Sequence, residues 1–282
     1  MKNFLLSVLG LSIIATSCTV NPTQQQSQDE ELQIYLCIGQ SNMEGSADIE
    51  AQDTTVSDRL LMMPTMQWKD STRILGEWTV GLPPQSNENG GLSICDYFGR
   101  TMVDSLPENV KVGLVTVAVG GCDMRMFDKT IYKDYLATYN EPWFLNKVEN
   151  YGGYPYQRLV DVARVAQKDG TIKGIILHQG ETNTGDSLWC NYVKSVYDSL
   201  LVDLNLCAQD VPLIAGQVVP ESADGVCAPM NGIIDLLPET IPTARVVSSE
   251  GLGVRTDNVH FNSQGVREFG RRYASAMLEA QR

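Results

Sequence analysis

The chain has 282 residues, a net charge of −13 and a hydrophobic fraction of 43%. That is enough apolar material for a sizeable α/β core. The acidic balance, with no basic stretch, excludes nucleic acid as a partner class, because phosphate neutralisation needs clustered Lys and Arg.

The N-terminus reads as a targeting segment. Lys2 is followed by the apolar stretch Phe4 to Ala15, too short to span a bilayer. It ends in Ala15-Thr16-Ser17-Cys18, which resembles a bacterial lipoprotein signal with Cys18 as the lipidated residue. The expectation is export, with residues 1–18 as signal and a lipid anchor as the only membrane attachment, facing periplasm or cell surface. Residues 19–31 form a polar, Gln-rich tether, and 32–282 a single domain.

Five apolar, β-rich runs follow: Leu32–Ile38, Val110–Val119, Ile172–His178, Val211–Val218 and Ala244–Ser248. Helical spacing marks Leu92–Leu106, Tyr156–Lys168, Leu188–Leu206 and Ser263–Leu278, the last entered through Asn262 as N-cap. Short apolar strands alternating with helices predict an α/β fold, a three-layer α/β/α sandwich around a five-stranded parallel sheet. Two long insertions interrupt the alternation, 47–89 and 123–156. The second packs nine aromatic residues into 34 positions, among them Tyr135, Trp143, Phe144 and Tyr151. Such rings either stack on sugar or form a satellite core beneath a long loop. Six cysteines remain after Cys18, with no CxxC or zinc-like spacing, and no bridge is assigned.

Chemistry-bearing residues stand at strand ends. Gly39-Gln40-Ser41-Asn42-Met43 follows the first run, Gly120-Gly121-Cys122-Asp123 the second and His178-Gln179-Gly180-Glu181 the third. In a parallel sheet these gather at one edge. Asp257-Asn258-Val259-His260 precedes the last helix. A serine needs a base, and His178 and His260 are the only histidines.

This set resembles the SGNH hydrolase superfamily, in its carbohydrate acetylesterase branch of acetyl xylan esterases and sialate O-acetylesterase-like proteins. The resemblance runs from about Leu32 to Ala280 and implies a flavodoxin-like sheet, an esterase mechanism, no cofactor or metal, and an acetylated oligo- or polysaccharide as substrate. On chemical grounds Ser41 is the nucleophile, His260 the base and Asp257 its orienting acid. The oxyanion donors are the N–H groups of Ser41 and Gly121 and the amide of Gln179, which takes the place of the family's asparagine. Glu181 is also a candidate catalytic acid, since it either contacts His260 or shapes the Gln179 loop. His178 reads as a buried, hydrogen-bonded residue. Two alternatives stand beside this reading. One is a metal site of His178, Glu181, Asp257 and His260. The other is a non-catalytic surface glycan-binding lipoprotein on the same fold.

Overall fold

The structure, a computed structural model, describes Met1 and residues 30–282. The signal-like segment, Cys18 and the tether up to Asp29 lie outside the described residues. The strands are β1 (Glu31–Gly39), β2 (Leu60–Met62), β3 (Thr79–Val80), β4 (Val110–Ala118), β5 (Thr171–His178), β6 (Leu213–Gly216) and β7 (Ala244–Val247). They form one sheet in the order β3-β2-β4-β1-β5-β6-β7. Every pairing is parallel except that of the edge strand β3 with β2.

All five expected strands are present, but among the described residues the sheet has seven. The two additions lie in the first insertion and are three and two residues long, too short to display a period of two. β2 exists because Leu60–Met62 pairs with Val112–Leu114 of β4. β1 opens at Glu31, opposite Val110, so the folded unit begins at the last residue of the expected tether, one residue earlier than expected.

The long strands turn predominantly apolar and buried toward their C-terminal ends, where both faces are covered. In β1, Ile34, Leu36 and Ile38 join one core cluster while Tyr35 and Cys37 join the other. The helices are α1 (Ser41–Glu44), α2 (Ile94–Ser105), α3 (Tyr132–Leu136), α4 (Pro142–Glu149), α5 (Pro155–Ala166), α6 (Trp189–Asp203), α7 (Asn231–Ile234), α8 (Leu237–Thr240) and α9 (Ser263–Ala280). Leu159 and Ala163 of α5 and Val193 and Leu200 of α6 complete the first cluster. Phe98 and Met102 of α2 and Phe269 and Tyr273 of α9 complete the second. These are the two outer layers of the sandwich. Asn262 caps α9, its side chain accepting from Gly265 N–H at 2.9 Å.

Both insertions are fastened to this frame. In the first, the fully buried Asp53 accepts from Arg267 of α9 at 2.7 and 3.0 Å and from the Tyr97 hydroxyl at 2.9 Å. The second is chiefly a satellite core: Phe127, Tyr135, Phe144, Tyr151 and Tyr156 are all buried. Tyr151 donates to the carbonyl of Ala118, the last residue of β4, at 3.0 Å. Trp143 is the exception, 54% exposed. The six cysteines at 37, 95, 122, 190, 207 and 227 are all free.

Candidate active site

Sheet register brings the motifs together. Gly39, at the end of β1, is paired with both Ala118 of β4 and His178 of β5, so three chain segments leave the sheet at one level. Glycine is required there, because a Cβ on Gly39 would lie 2.1 Å from the His178 carbonyl oxygen. The next N–H, of Gln40, donates to that same oxygen at 3.0 Å. Ser41 is thereby placed at the start of the single-turn helix α1.

His260 arrives on the loop before α9. Its Nε2 lies 2.8 Å from Ser41 Oγ, and its Nδ1 lies 2.8 Å from Asp257 Oδ2. The other carboxylate oxygen, Asp257 Oδ1, accepts the N–H groups of Val259 and His260, each at 2.9 Å. Partial burial pushes the Asp257 carboxyl up. The His260 side chain and these two N–H groups outweigh it and bring it down to about 2. Asn258 turns the loop with φ of 53°, a left-handed conformation that asparagine tolerates.

Asn42 ties this loop to the third motif. Its Nδ2 donates to Glu181 Oε1 at 2.7 Å and to Val259 O at 3.2 Å, while its Oδ1 accepts Phe261 N–H at 3.2 Å. The residues on either side of His260 are held by one buried amide. Sequence reasoning quoted Asn42 within the first motif and gave it no role.

Glu181 makes no hydrogen bond to His260. Its Oε1 instead meets Asn42 and, at 3.3 Å, Nε2 of the fully buried His178. Burial would raise the Glu181 carboxyl. His178, its own backbone N–H and Asn42 outweigh that and hold it below the usual carboxylate range. The Tyr273 hydroxyl donates to Leu177 O at 2.8 Å, which leaves its oxygen to accept from His178 Nδ1 at 3.1 Å. The imidazole is enclosed edge-to-face by Phe261 and Phe269. His178 is the buried histidine the sequence suggested. The four residues of the metal alternative divide into two separate pairs, His178 with Glu181 and Asp257 with His260. Among the described residues no group of three or more potential ligands converges.

The groups expected to serve as oxyanion donors divide likewise. Among the described residues, the N–H groups of Ser41 and Gly121 take part in no backbone hydrogen bond. Gly121 has φ of +82°, where a side chain would be strained, and Thr182 Oγ1 donates to its carbonyl at 3.1 Å. Cys122 points inward and is fully buried, its thiol 3.8 Å from Gly39 O. Gln179 does not offer its amide to the cleft. Its Nε2 is shared among Asn183 Oδ1 at 2.7 Å, Gln40 Oε1 at 3.1 Å and Cys122 O at 3.2 Å, and its Oε1 accepts from Trp189 Nε1. Two hydrogens already face three acceptors. Gln40 is the amide that does line the cleft. Its Oε1 is committed to Gln179 and to the N–H groups of Gly180 and Thr182, so the NH₂ end is its free polar group.

The cleft over Ser41 has a volume of about 400 Å³ and is lined by Gln40, Gly120, Gly121, Trp143, Lys147, Glu181 and His260, among others. A larger groove of about 1040 Å³ runs along α9 between Asp48, Arg255 and Arg271, but Ser41, Asp257 and His260 do not line it.

Residues 31–279 match the family described as carbohydrate esterase, sialic acid-specific acetylesterase. Among solved structures, a protein from Arabidopsis thaliana is similar with a TM-score of 0.67 at 19% identity, covering 88% of this chain and 98% of that one. NanS is similar with a TM-score of 0.64 at 15% identity, covering 89% and 98%. XAC1771, a carbohydrate acetylesterase from Xanthomonas citri, gives a TM-score of 0.59 at 19% identity, with 88% of this chain and 56% of that one covered. At such identities these likenesses bear on the fold.

Proposed function

This chain belongs to the carbohydrate esterase family described as sialic acid-specific acetylesterase, and we propose that it removes O-acetyl groups from carbohydrate through an acyl-enzyme on Ser41. The observation that carries the mechanism is the line Asp257–His260–Ser41, with both hydrogen-bond distances at 2.8 Å. Serine alone is a poor nucleophile, and an imidazole at this distance, oriented by a carboxylate, is what activates it.

In the first step Ser41 Oγ bonds to the acetyl carbon and its proton passes to His260 Nε2. The negative charge on the carbonyl oxygen is met by the N–H groups of Ser41 and Gly121, with the Gln40 amide as third donor in the role first expected of Gln179. Collapse breaks the bond to the sugar oxygen, which takes the proton from His260 and departs as a hydroxyl. Water then gives a proton to His260 and its oxygen to the acetyl carbon. Ser41 leaves, recovers the proton, and acetate is released. Asp257 fixes the imidazole throughout. Glu181 and Asn42 position the His260 loop without touching the reacting atoms.

The test is acetate release from O-acetylated oligosaccharides by the wild type and by Ser41→Ala. The proposal expects the substitution to abolish release, and undiminished release would end it. We also propose that the N-terminal segment directs export and that Cys18 carries a lipid anchor, on the small-residue run before that cysteine. Cys18→Ala should then move the protein from membrane to soluble fractions, and an unchanged distribution would contradict the anchor.

A further inference from the structure

Helix α4 brings two residues to the reactive cleft, and the sequence motifs account for neither. Trp143 and Lys147 are one turn apart and both line the cleft over Ser41. Pro142 at the first helical position sets the entry of this turn. Trp143 is 54% exposed, whereas the next residue, Phe144, is fully buried. The indole stands edge-on to Phe144, with ring centroids 5.7 Å apart and an interplanar angle of 78°. A Cβ on Gly121 would lie 3.0 Å from the indole ring, so the ring flanks the turn that carries the proposed oxyanion donor. An indole left in water costs roughly 25 cal/mol for every Å² that could have been buried. Here the exposed ring lines the same cleft as Ser41.

The charges along this wall are nearly cancelled. Lys147 Nζ lies 2.5 Å from Glu44 Oε2, and the same pair lines a small adjoining cavity with Asn87, Asn89 and Asn150. Lys147 is the one Lys or Arg among the described residues lining the Ser41 cleft. Glu181, which also lines the cleft, is held as a carboxylate, and its buried Oε2 has no hydrogen-bond partner among the described residues. A sugar carboxylate entering here would meet the Glu181 carboxylate and a lysine already paired with Glu44. Hydroxyl groups, by contrast, can donate to carboxylate and amide oxygens without a charge penalty.

Resting on the esterase reading above, we propose that Trp143 is the stacking platform for a pyranose ring, that Lys147, Glu44 and the neighbouring asparagines form its polar rim, and that the substrate is an uncharged acetylated sugar, not a sialate. This gives the α4 segment of the aromatic insertion a role in specificity.

The test compares kcat/KM on O-acetylated xylo-oligosaccharide, O-acetylated sialic acid and p-nitrophenyl acetate. The wild type should prefer the neutral sugar by at least about tenfold, the scale of one charged contact near a surface. Glu44→Gln, which releases Lys147, should shrink that preference by about the same factor, with the effect fading at high salt. Trp143→Ala should lose about tenfold more on the oligosaccharide than on p-nitrophenyl acetate, mainly through KM, and Trp143→Phe should restore much of the difference. A wild-type preference for the sialate, or ratios unmoved by Glu44→Gln and Trp143→Ala, overturns the proposal. Turnover of p-nitrophenyl acetate that survives Ser41→Ala would instead sink the underlying serine mechanism, so the two failures are told apart.

Discussion

The Asp257–His260 loop and the His178–Glu181 strand end use the same pairing, a histidine and a carboxylate three residues apart, in different settings. His260 keeps 27% of its side chain exposed and Asp257 45%, and the free imidazole nitrogen faces Ser41. His178 is wholly buried and Glu181 nearly so, and both nitrogens of that ring are already engaged. A histidine serves as a base only when one nitrogen is left for the substrate's chemistry. The buried pair instead stiffens the strand end from which Gln179 and Glu181 project, and through Asn42 it reaches the backbone beside His260.

Substitutions should separate these pairs sharply. The largest effect is expected for His260→Ala, which should lower kcat by about 10⁴-fold or more while leaving the fold intact, as removal of a triad member does. Acetate release together with circular dichroism would check both halves. Asp257→Asn should follow with a loss of about 10²–10⁴-fold, because the imidazole loses its orienting charge. Thermal melting of that variant should be nearly unchanged, since exposed ion pairs contribute little to stability.

Glu181→Ala should show the converse. Removing the partner of a fully buried histidine costs about 3–5 kcal/mol, which scanning calorimetry should register as a fall of roughly 6 °C or more in Tm. A Tm unchanged by Glu181→Ala, or one lowered equally by Asp257→Asn, would erase the contrast. The smallest effect concerns pH. The Asp257 carboxyl is held at about 2 in the fold, below its unfolded value of about 3.9. Its contribution, kept small because the pair is exposed, is therefore fully present above about pH 4 and lost as pH falls through about 2. An activity profile of the wild type should thus show no Asp257-dependent step above about pH 4, and a step there that vanishes in Asp257→Asn would contradict the assignment.

Much of this architecture was legible in the sequence, for physical reasons. Strands covered on both faces are mostly apolar, so β1, β4, β5, β6 and β7 stood out as runs. Two histidines left little choice of base, and Asp257 lay within reach of one of them. β2 and β3 were invisible because they exist through register with β4, not through any pattern of their own. Gln179 was misjudged because its motif position says nothing of Asn183 Oδ1 and Cys122 O, which capture its hydrogens. Gln40 and Asn42 were in plain view beside Ser41, but their partners lie more than a hundred residues away in the chain. Trp143 and Phe144 are adjacent aromatics, and composition could not show that one caps a cleft while the other fills a core.

The most direct test of the serine assignment is rapid quenching of the enzyme with p-nitrophenyl acetate, followed by peptide mass mapping. The account predicts an acetyl-sized mass increase on the peptide containing Ser41, absent in Ser41→Ala and accumulating when deacylation is slowed in Asp257→Asn. Acetylation at another residue during turnover, or full turnover by Ser41→Ala, would contradict it.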